Sequence, residues 1–451
     1  MGLGLSAYRA VTTLLDPLAG ALGRVGRVEG VWREGFRWNG PEAERAAGSV
    51  WIHAASMGEV GAARPWVGSL LTGGYRPPFL FTTRTRSGLT RARADLGDRV
   101  SARLAPHDLP GVLGRFLDAA CPWRLDLIET ELWPNLILEA RARSIPVLLV
   151  SATVSERSAA LLQTLGIAGS SLLGKDVYAL PQTERHAGRF ESLGIPRDRI
   201  RVVGDLKADA IPEPRGTPLP FSARPALVFG SLRPGEEHVA RALAEILEEH
   251  LEQWGREREA WASRSRVPDP FEGRSRALLV IAPRHAEGER RARAAFRGSG
   301  FEIVTRDETS REPAGVTAWI EETSRLEGRR VGLLATRGEL AAAYGCAWGA
   351  VIGGTFAPFG GHNVWEAAGA GAPVLVGPHH REVSTAVEAV LHEGGGVIAT
   401  DTGRHFRTIV EGWLRDEDLE RRGISAARAV SGASGTSRRA MDAVRDWGLV
   451  P

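Results

Sequence analysis

Lysine is almost missing from this chain. Lys175 and Lys207 are the only two among 57 basic residues. Positive charge is therefore carried by arginine, and Lys207, in the run Gly204-Asp205-Leu206-Lys207, stands out. Cysteine is nearly missing too. Cys121 and Cys346 offer neither a disulfide framework nor metal-ligand spacing, which fits a reducing compartment. No run approaches the roughly 18–20 apolar residues that span a bilayer. The start lacks the charged region and cleavage site of a signal peptide. A net charge of only +3 argues against a broad polyanion-binding surface, and so against a nucleic-acid partner. No solenoid-type repeat is present.

What is present reads as a globular α/β protein. The 451 residues suffice for two ordinary domains. Short apolar runs alternate with amphipathic stretches. SVWIHAAS, FLFTTRT, VSARLAP, LDLIET, VLLVSAT, VYALPQ and RIRVVGDL fill residues 49–206. ALVFGSL, ALLVIAPR, EIVTRD, VGLLAT, WGAVIGG, PVLVGP and GVIAT follow later. Continuous apolar strands alternating with helices indicate parallel sheets covered on both faces. A proline-rich stretch from Ile211 to Pro220 between the two series reads as a linker. Residues 251–275 read as a solvated insertion. Residues 7–23 are mildly apolar with arginines on either side. They suit either a helix lying in a membrane interface or one packed on the domain behind it, and Asp16-Pro17 weakens the first reading.

Residues 351–366 carry the densest signal. An apolar strand enters a glycine-rich loop, which ends in Gly360-Gly361-His362-Asn363. An alanine-rich helix then starts, with Glu366 in its first turn. Glycines admit close approach of a ligand and positive φ. A helix start favours an anion, and a carboxylate one turn in can accept from two ribose hydroxyls. The parts suit a nucleotide; the plain alternative is a tight strand-to-helix turn. A second strand-loop-helix unit holds His53, Ser56, Gly58 and Glu59. Glu59 is placed to act as a base, although a carboxylate at a helix start is also an ordinary dipole partner.

These two stretches occur in order with Glu129-Thr130-Glu131-Leu132-Trp133-Pro134-Asn135, Gly204-Asp205-Leu206-Lys207 and Pro283-Arg284-His285. With that set the chain resembles the bacterial Kdo (3-deoxy-D-manno-octulosonic acid) transferases, from about residue 49 to 395. The resemblance implies the GT-B fold, two Rossmann-like domains whose parallel sheets face a cleft. The divisions it implies are a membrane-associated segment (1–40), an acceptor domain (41–211), a linker (212–222), a nucleotide-sugar domain (223–430) and a terminal helix (431–451). It implies an inverting transfer of Kdo from CMP-Kdo to a lipid A precursor, by an enzyme held at the cytoplasmic face of the inner membrane. No cofactor and no metal are expected.

In that reading Glu59 is the base. Ser231, Arg284, His285, Gly360, Gly361, His362, Asn363 and Glu366 hold the donor. His53, Ser56, Gly58, Glu129, Glu131 and Lys207 line the acceptor side or the cleft. Glu129 and Glu131 point opposite ways if their stretch is extended. Asp416-Glu417-Asp418 has the Asp-x-Asp pattern of metal-dependent glycosyltransferases, but no strand precedes it, and a solvated helix is expected. The chain departs from the family pattern at Ser151 and Thr153, where Asn and Arg are usual, and at Ser231-Leu232-Arg233, where Ser-Thr-His is common. Those departures leave the reaction class in place and bear on the exact donor or acceptor. The alternative readings are a GT-B enzyme acting on another nucleotide sugar, an epimerase, or a non-catalytic sugar-binding paralogue, the last of which predicts loss of Glu59.

Overall fold

Strands buried on both faces need side chains that satisfy two cores at once. In the computed structural model, β1 (Val50–His53) sends Trp51 into one core, and Val50 and Ile52 into the other. The structure describes residues 2–24, 47–75, 78–129, 131–167, 169, 171–211, 220–262, 278–309, 315–415 and 418–450. The chain forms two units: residues 1–210 with 434–451, and residues 211–433.

The first unit is built on β1, β2 (Phe79–Thr83), β3 (Ser101–Leu104), β4 (Arg124–Ile128), β5 (Val147–Ala152) and β6 (Val177–Pro181). All are parallel, in the order β3-β2-β1-β4-β5-β6. The chain therefore winds outward from β1 in one direction, then returns to start again at β4. Ligands in such sheets sit beyond the carboxyl ends of the strands at that reversal. The register Val50↔Arg124 to His53↔Leu127 brings the ends of β1 and β4 level there. The run RIRVVGDL is not a strand. Only Ile200 bridges, to Ala179, because Gly204 turns to φ 104° and Asp205 caps the short helix that carries Lys207.

The last helix, Thr436–Asp446, belongs to this first unit. Met441 and Val444 enter the core beside Trp66. The Asp209 carboxylate accepts from the backbone of Gly435 (2.7 Å) and Ser437 (2.7 Å) and from the Ser437 hydroxyl (2.6 Å). A carboxylate suits the donors and dipole of a helix start. The fully buried Arg124 pairs with Asp126 at 2.6 Å and donates to the Leu449 carbonyl, which pins the tail.

The N-terminal helix, Leu3–Arg24, runs through Asp16-Pro17 without ending there. It docks on the first unit by one side. Leu5 is buried, Tyr8 Oη donates to Asp108 (2.8 Å), Arg9 pairs with Glu139 (2.5 Å), and Asp16 accepts from the Gly111 amide. Leu3, Val11, Leu14 and Leu15 remain exposed. With about 3.6 residues per turn, Leu3, Val11 and Leu14 lie on the side facing away from Leu5 and Thr12.

The second unit has β7 (Ala226–Leu232), β8 (Leu278–Pro283), β9 (Glu302–Arg306), β10 (Arg330–Leu334), β11 (Ala347–Ile352), β12 (Val374–Val376) and β13 (Gly396–Ile398). They form one parallel sheet in the order β13-β12-β11-β7-β8-β10-β9. Here the winding reverses between β7 and β11. Of the expected insertion, residues 251–262 continue the helix Glu237–Ala262, and the remainder lies outside the described residues, as does most of the linker.

Candidate active site

In the first unit the reversal point gathers charge. Ser56 is the N-cap of the helix Met57–Thr72, and Glu59 is its third residue. Together they close a capping box. Glu59 accepts from the amide of Ala55 (2.6 Å) and from the Ser56 hydroxyl (3.1 Å). Those bonds fix the carboxylate against its own loop. Burial, then the charges of Glu129 and Glu131, raise its pKa to about 7. A Cβ at Gly58 would meet Ser56 Oγ at 3.8 Å, an ordinary contact, so no steric need explains a glycine at this point.

Glu129 follows β4 at φ 61°, in the left-handed region. That turn breaks the extended geometry on which opposite directions for Glu129 and Glu131 depend, and both carboxylates act on Glu59. Glu129 also pairs with Lys207 Nζ at 2.6 Å. Burial alone would lower Lys207, but Glu129 and then Asp205 outweigh it and hold the ammonium above its ordinary value. Glu131 accepts from the Trp133 indole and stands 3.9 Å from His53 Nε2. Burial raises Glu131. His53 is buried, bonds to Thr82 Oγ1 at 2.9 Å, and is lowered to about 4 by burial and by Arg84. It is neutral near pH 7.

Beside this cluster lies a cavity of about 240 Å3, lined by Trp51, His53, Arg84, His107, Asp108 and Trp133 among others. The Arg84 guanidinium stacks 4.2 Å over the Trp133 ring. Sequence reading did not single out Arg84 or His107. They follow β2 and β3, and only the parallel pairing of β2 with β1 and of β3 with β2 brings them to His53.

Ser151, one of the departures from the family pattern, is buried at the end of β5 with φ 53°. Its hydroxyl accepts from the Leu206 amide at 3.0 Å. It thus holds the turn that delivers Lys207.

In the second unit, β7, β8 and β11 end side by side. Ser231 is left-handed, φ 58°. Arg284 Nη1 lies 2.6 Å from His362 Nδ1. Burial, then Arg233, lowers Arg284, while Glu366 opposes this. His285 is lowered by burial and by Arg284, Arg233 and Arg337. Gly360 (φ 85°) and Gly361 (φ 100°) have no room for a side chain: a Cβ would meet Glu382 at 2.6 Å and Val383 at 2.5 Å.

The helix after this loop, Trp365–Gly369, starts later than expected and has only five residues. Its dipole is correspondingly small. Asn363 stands before it, accepting from the Trp365 amide (3.1 Å) and donating to Glu366 (3.1 Å). The loop's brace is Glu236, which is fully buried. It accepts from the amides of Gly354 (2.9 Å), Phe356 (2.9 Å), Ala357 (3.3 Å) and Arg233 (2.8 Å). Sequence alone could not assign Glu236 to a loop 118 residues away.

Among the described residues no group of His, Cys, Asp and Glu has the arrangement of a metal site. Asp418 pairs with Arg421 at 2.6 Å, and Asp416 and Glu417 lie outside the described residues.

A family model described as 3-deoxy-D-manno-octulosonic-acid transferase (kdotransferase) matches residues 30–210. A 3-deoxy-D-manno-octulosonic acid transferase of Bordetella pertussis is 32% identical over 418 residues, 89% of this chain and 88% of that one. The chain belongs to the 3-deoxy-D-manno-octulosonic acid transferase family. A Kdo transferase of Haemophilus influenzae is 28% identical over 88% of this chain and 87% of its own. Membership makes the chain a glycosyltransferase. Its fold is GT-B, shared with the UDP-GlcNAc 2-epimerase of Neisseria meningitidis bound to UDP-GlcNAc. That structure is 13% identical, with a TM-score of 0.55, over 88% of this chain and 100% of the other. At that identity the likeness concerns fold alone and brings no epimerase activity with it.

Proposed function

We propose that this Kdo transferase moves Kdo from CMP-Kdo, with inversion, onto a hydroxyl of a lipid A precursor. The observation that carries the reading is Glu59. It is a half-buried carboxylate whose pKa is raised to about 7 by burial and two neighbouring acids, at the point of the sheet where ligands bind. In the proposed step the acceptor oxygen bonds to the anomeric carbon as Glu59 takes its proton. The bond from that carbon to the donor phosphate breaks, and CMP departs with the electron pair.

Arg284 and His285 face the departing phosphate, with Ser231, Gly360, Gly361, His362 and Asn363 shaping the loop around it. Guanidinium geometry suits phosphate. Glu366 takes the ribose hydroxyls. On the acceptor side Glu129, Glu131, Lys207, His53, Ser56 and Gly58 surround Glu59. The 240 Å3 cavity beside them is smaller than typical pockets for drug-sized ligands and suits one sugar ring.

We further propose attachment to the cytoplasmic face of the inner membrane through the outward apolar side of the N-terminal helix. No helix among the described residues is long and apolar enough to cross a bilayer, and the proposed attachment is a peripheral one. The test is direct. Purified protein is incubated with CMP-Kdo and a lipid A precursor, and product mass is read. A mass gain of one or more Kdo units is expected; an unchanged acceptor overturns the reading.

A further inference from the structure

Parallel register does more in the second unit than place the expected residues. Leu232 at the end of β7 pairs with Pro283 at the end of β8. The next residue on each strand is an arginine, Arg233 and Arg284. Their backbones stay together, with the Arg284 amide 3.4 Å from the Leu232 carbonyl. The Arg233 guanidinium stacks 4.3 Å over the ring of Phe359, on the glycine loop. Its Nε is buried without a hydrogen-bond partner. Among the described residues neither Arg233 nor Arg284 has a carboxylate at ion-pair distance. Glu236, next in the chain, spends its oxygens on backbone amides, and Glu237 accepts from the Gly235 amide at 2.7 Å. Glu366 acts on Arg284 only through its field.

Two partly buried guanidiniums side by side repel each other, and each forgoes hydration. The arrangement becomes favourable when an anion with several acceptor oxygens takes the N–H groups of both. We propose that Arg233 is a second anion-binding residue of the donor site, closing with Arg284 on an oxyanion of the nucleotide sugar. This rests on the CMP-Kdo reading above. The oxyanion is either the donor phosphate or the carboxylate of its acidic sugar. Phe359 and the Arg233–Glu236 backbone bond hold the guanidinium in place before the ligand arrives, which lowers the ordering cost of binding.

Calorimetric titration of cytidine, CMP and CMP-Kdo into the wild type, Arg233→Ala and Arg233→Lys tests this in the absence of acceptor. If Arg233 holds the phosphate, the Ala variant binds CMP about 10- to 100-fold more weakly, the loss of a charge-assisted hydrogen bond, while cytidine is unaffected. If it holds the sugar carboxylate, CMP affinity is unchanged and CMP-Kdo alone weakens by that factor. In either case Lys recovers part of the loss, since it restores charge but not the fork. Equal affinities of wild type and Ala variant for all three ligands overturn the role of Arg233 and leave the donor reading standing. A wild type that binds neither CMP nor CMP-Kdo overturns both. Thermal melting of the variants guards against a folding defect, and cytidine affinity reports an intact nucleoside site.

Discussion

The structural role of Glu59 and its proposed catalytic role pull against each other. As the acid of a capping box it stabilises a helix start; as a base it must be free to take a proton. A glutamine serves in the box as well as a glutamate does, but it cannot be a base. Glu59→Gln is therefore expected to keep the fold and CMP affinity while turnover falls roughly 100- to 10,000-fold, the range for loss of a general base. Near-normal turnover would remove Glu59 from that role. The pH dependence follows from the same surroundings. The base works deprotonated, so the rate rises as pH passes through about 7. Glu129 raises Glu59 and Lys207 lowers it. Glu129→Gln should then move the limb to lower pH, and Lys207→Met to higher pH, in profiles of kcat/KM. Shifts of the same sign would show that the limb belongs to another group.

At the scale of elements, the glycine loop after β11 is held by one buried carboxylate rather than by its own backbone. Glu236→Gln would set an amide group against backbone donors and leave some of them unpaired, at a cost on the order of 3 kcal/mol. A lowered melting temperature together with weaker CMP binding is expected. Glu366→Ala, by contrast, should weaken CMP by about 10- to 100-fold with little change in melting. Equal CMP affinity there would reduce the loop to a structural turn. The N-terminal helix presents the opposite case, an element whose outer side lacks a partner among the described residues. Val11 and Leu14 are 56% and 74% exposed. Replacing both by Glu should lower co-sedimentation with anionic vesicles at low salt and leave CMP binding intact. Unchanged sedimentation would put the attachment elsewhere.

Taken as a whole, the molecule repeats one device in two units: a parallel sheet whose winding reverses, with charge collected at the reversal. In the first unit the collected charge is mostly acidic, which suits the proposed proton transfer. In the second it is cationic, which suits the proposed anion. In the proposed donor site Arg233 and Arg284 would put positive charge where a departing phosphate otherwise calls for a divalent ion. Activity is therefore expected to survive excess EDTA and to gain little from added magnesium. Complete loss with chelator, restored by a divalent ion, would refute this and bring Asp416 and Asp418 back into consideration.

Much of this was written in the sequence in local form. Short β-branched apolar runs such as VWIH and VLLVSA read as strands buried on both faces, and the helices spaced between them point to parallel sheets. The Ser56–Glu59 box and the paired glycines at 360 and 361 are also local, because caps and positive-φ turns are settled within a few residues. What the tertiary structure alone decided is every relation that depends on strand order. RIRVVGDL has the composition of a strand, yet it turns away at Gly204 and places Lys207 on Glu129. Glu236 braces a loop 118 residues along the chain. Arg233 meets Arg284 because β7 lies beside β8, and Arg84 meets Trp133 because β2 and β4 flank β1. Burial and neighbouring charge set the pKa of Glu59, and both are properties of the folded sheet edge that the residues acquire only when the strands are in register.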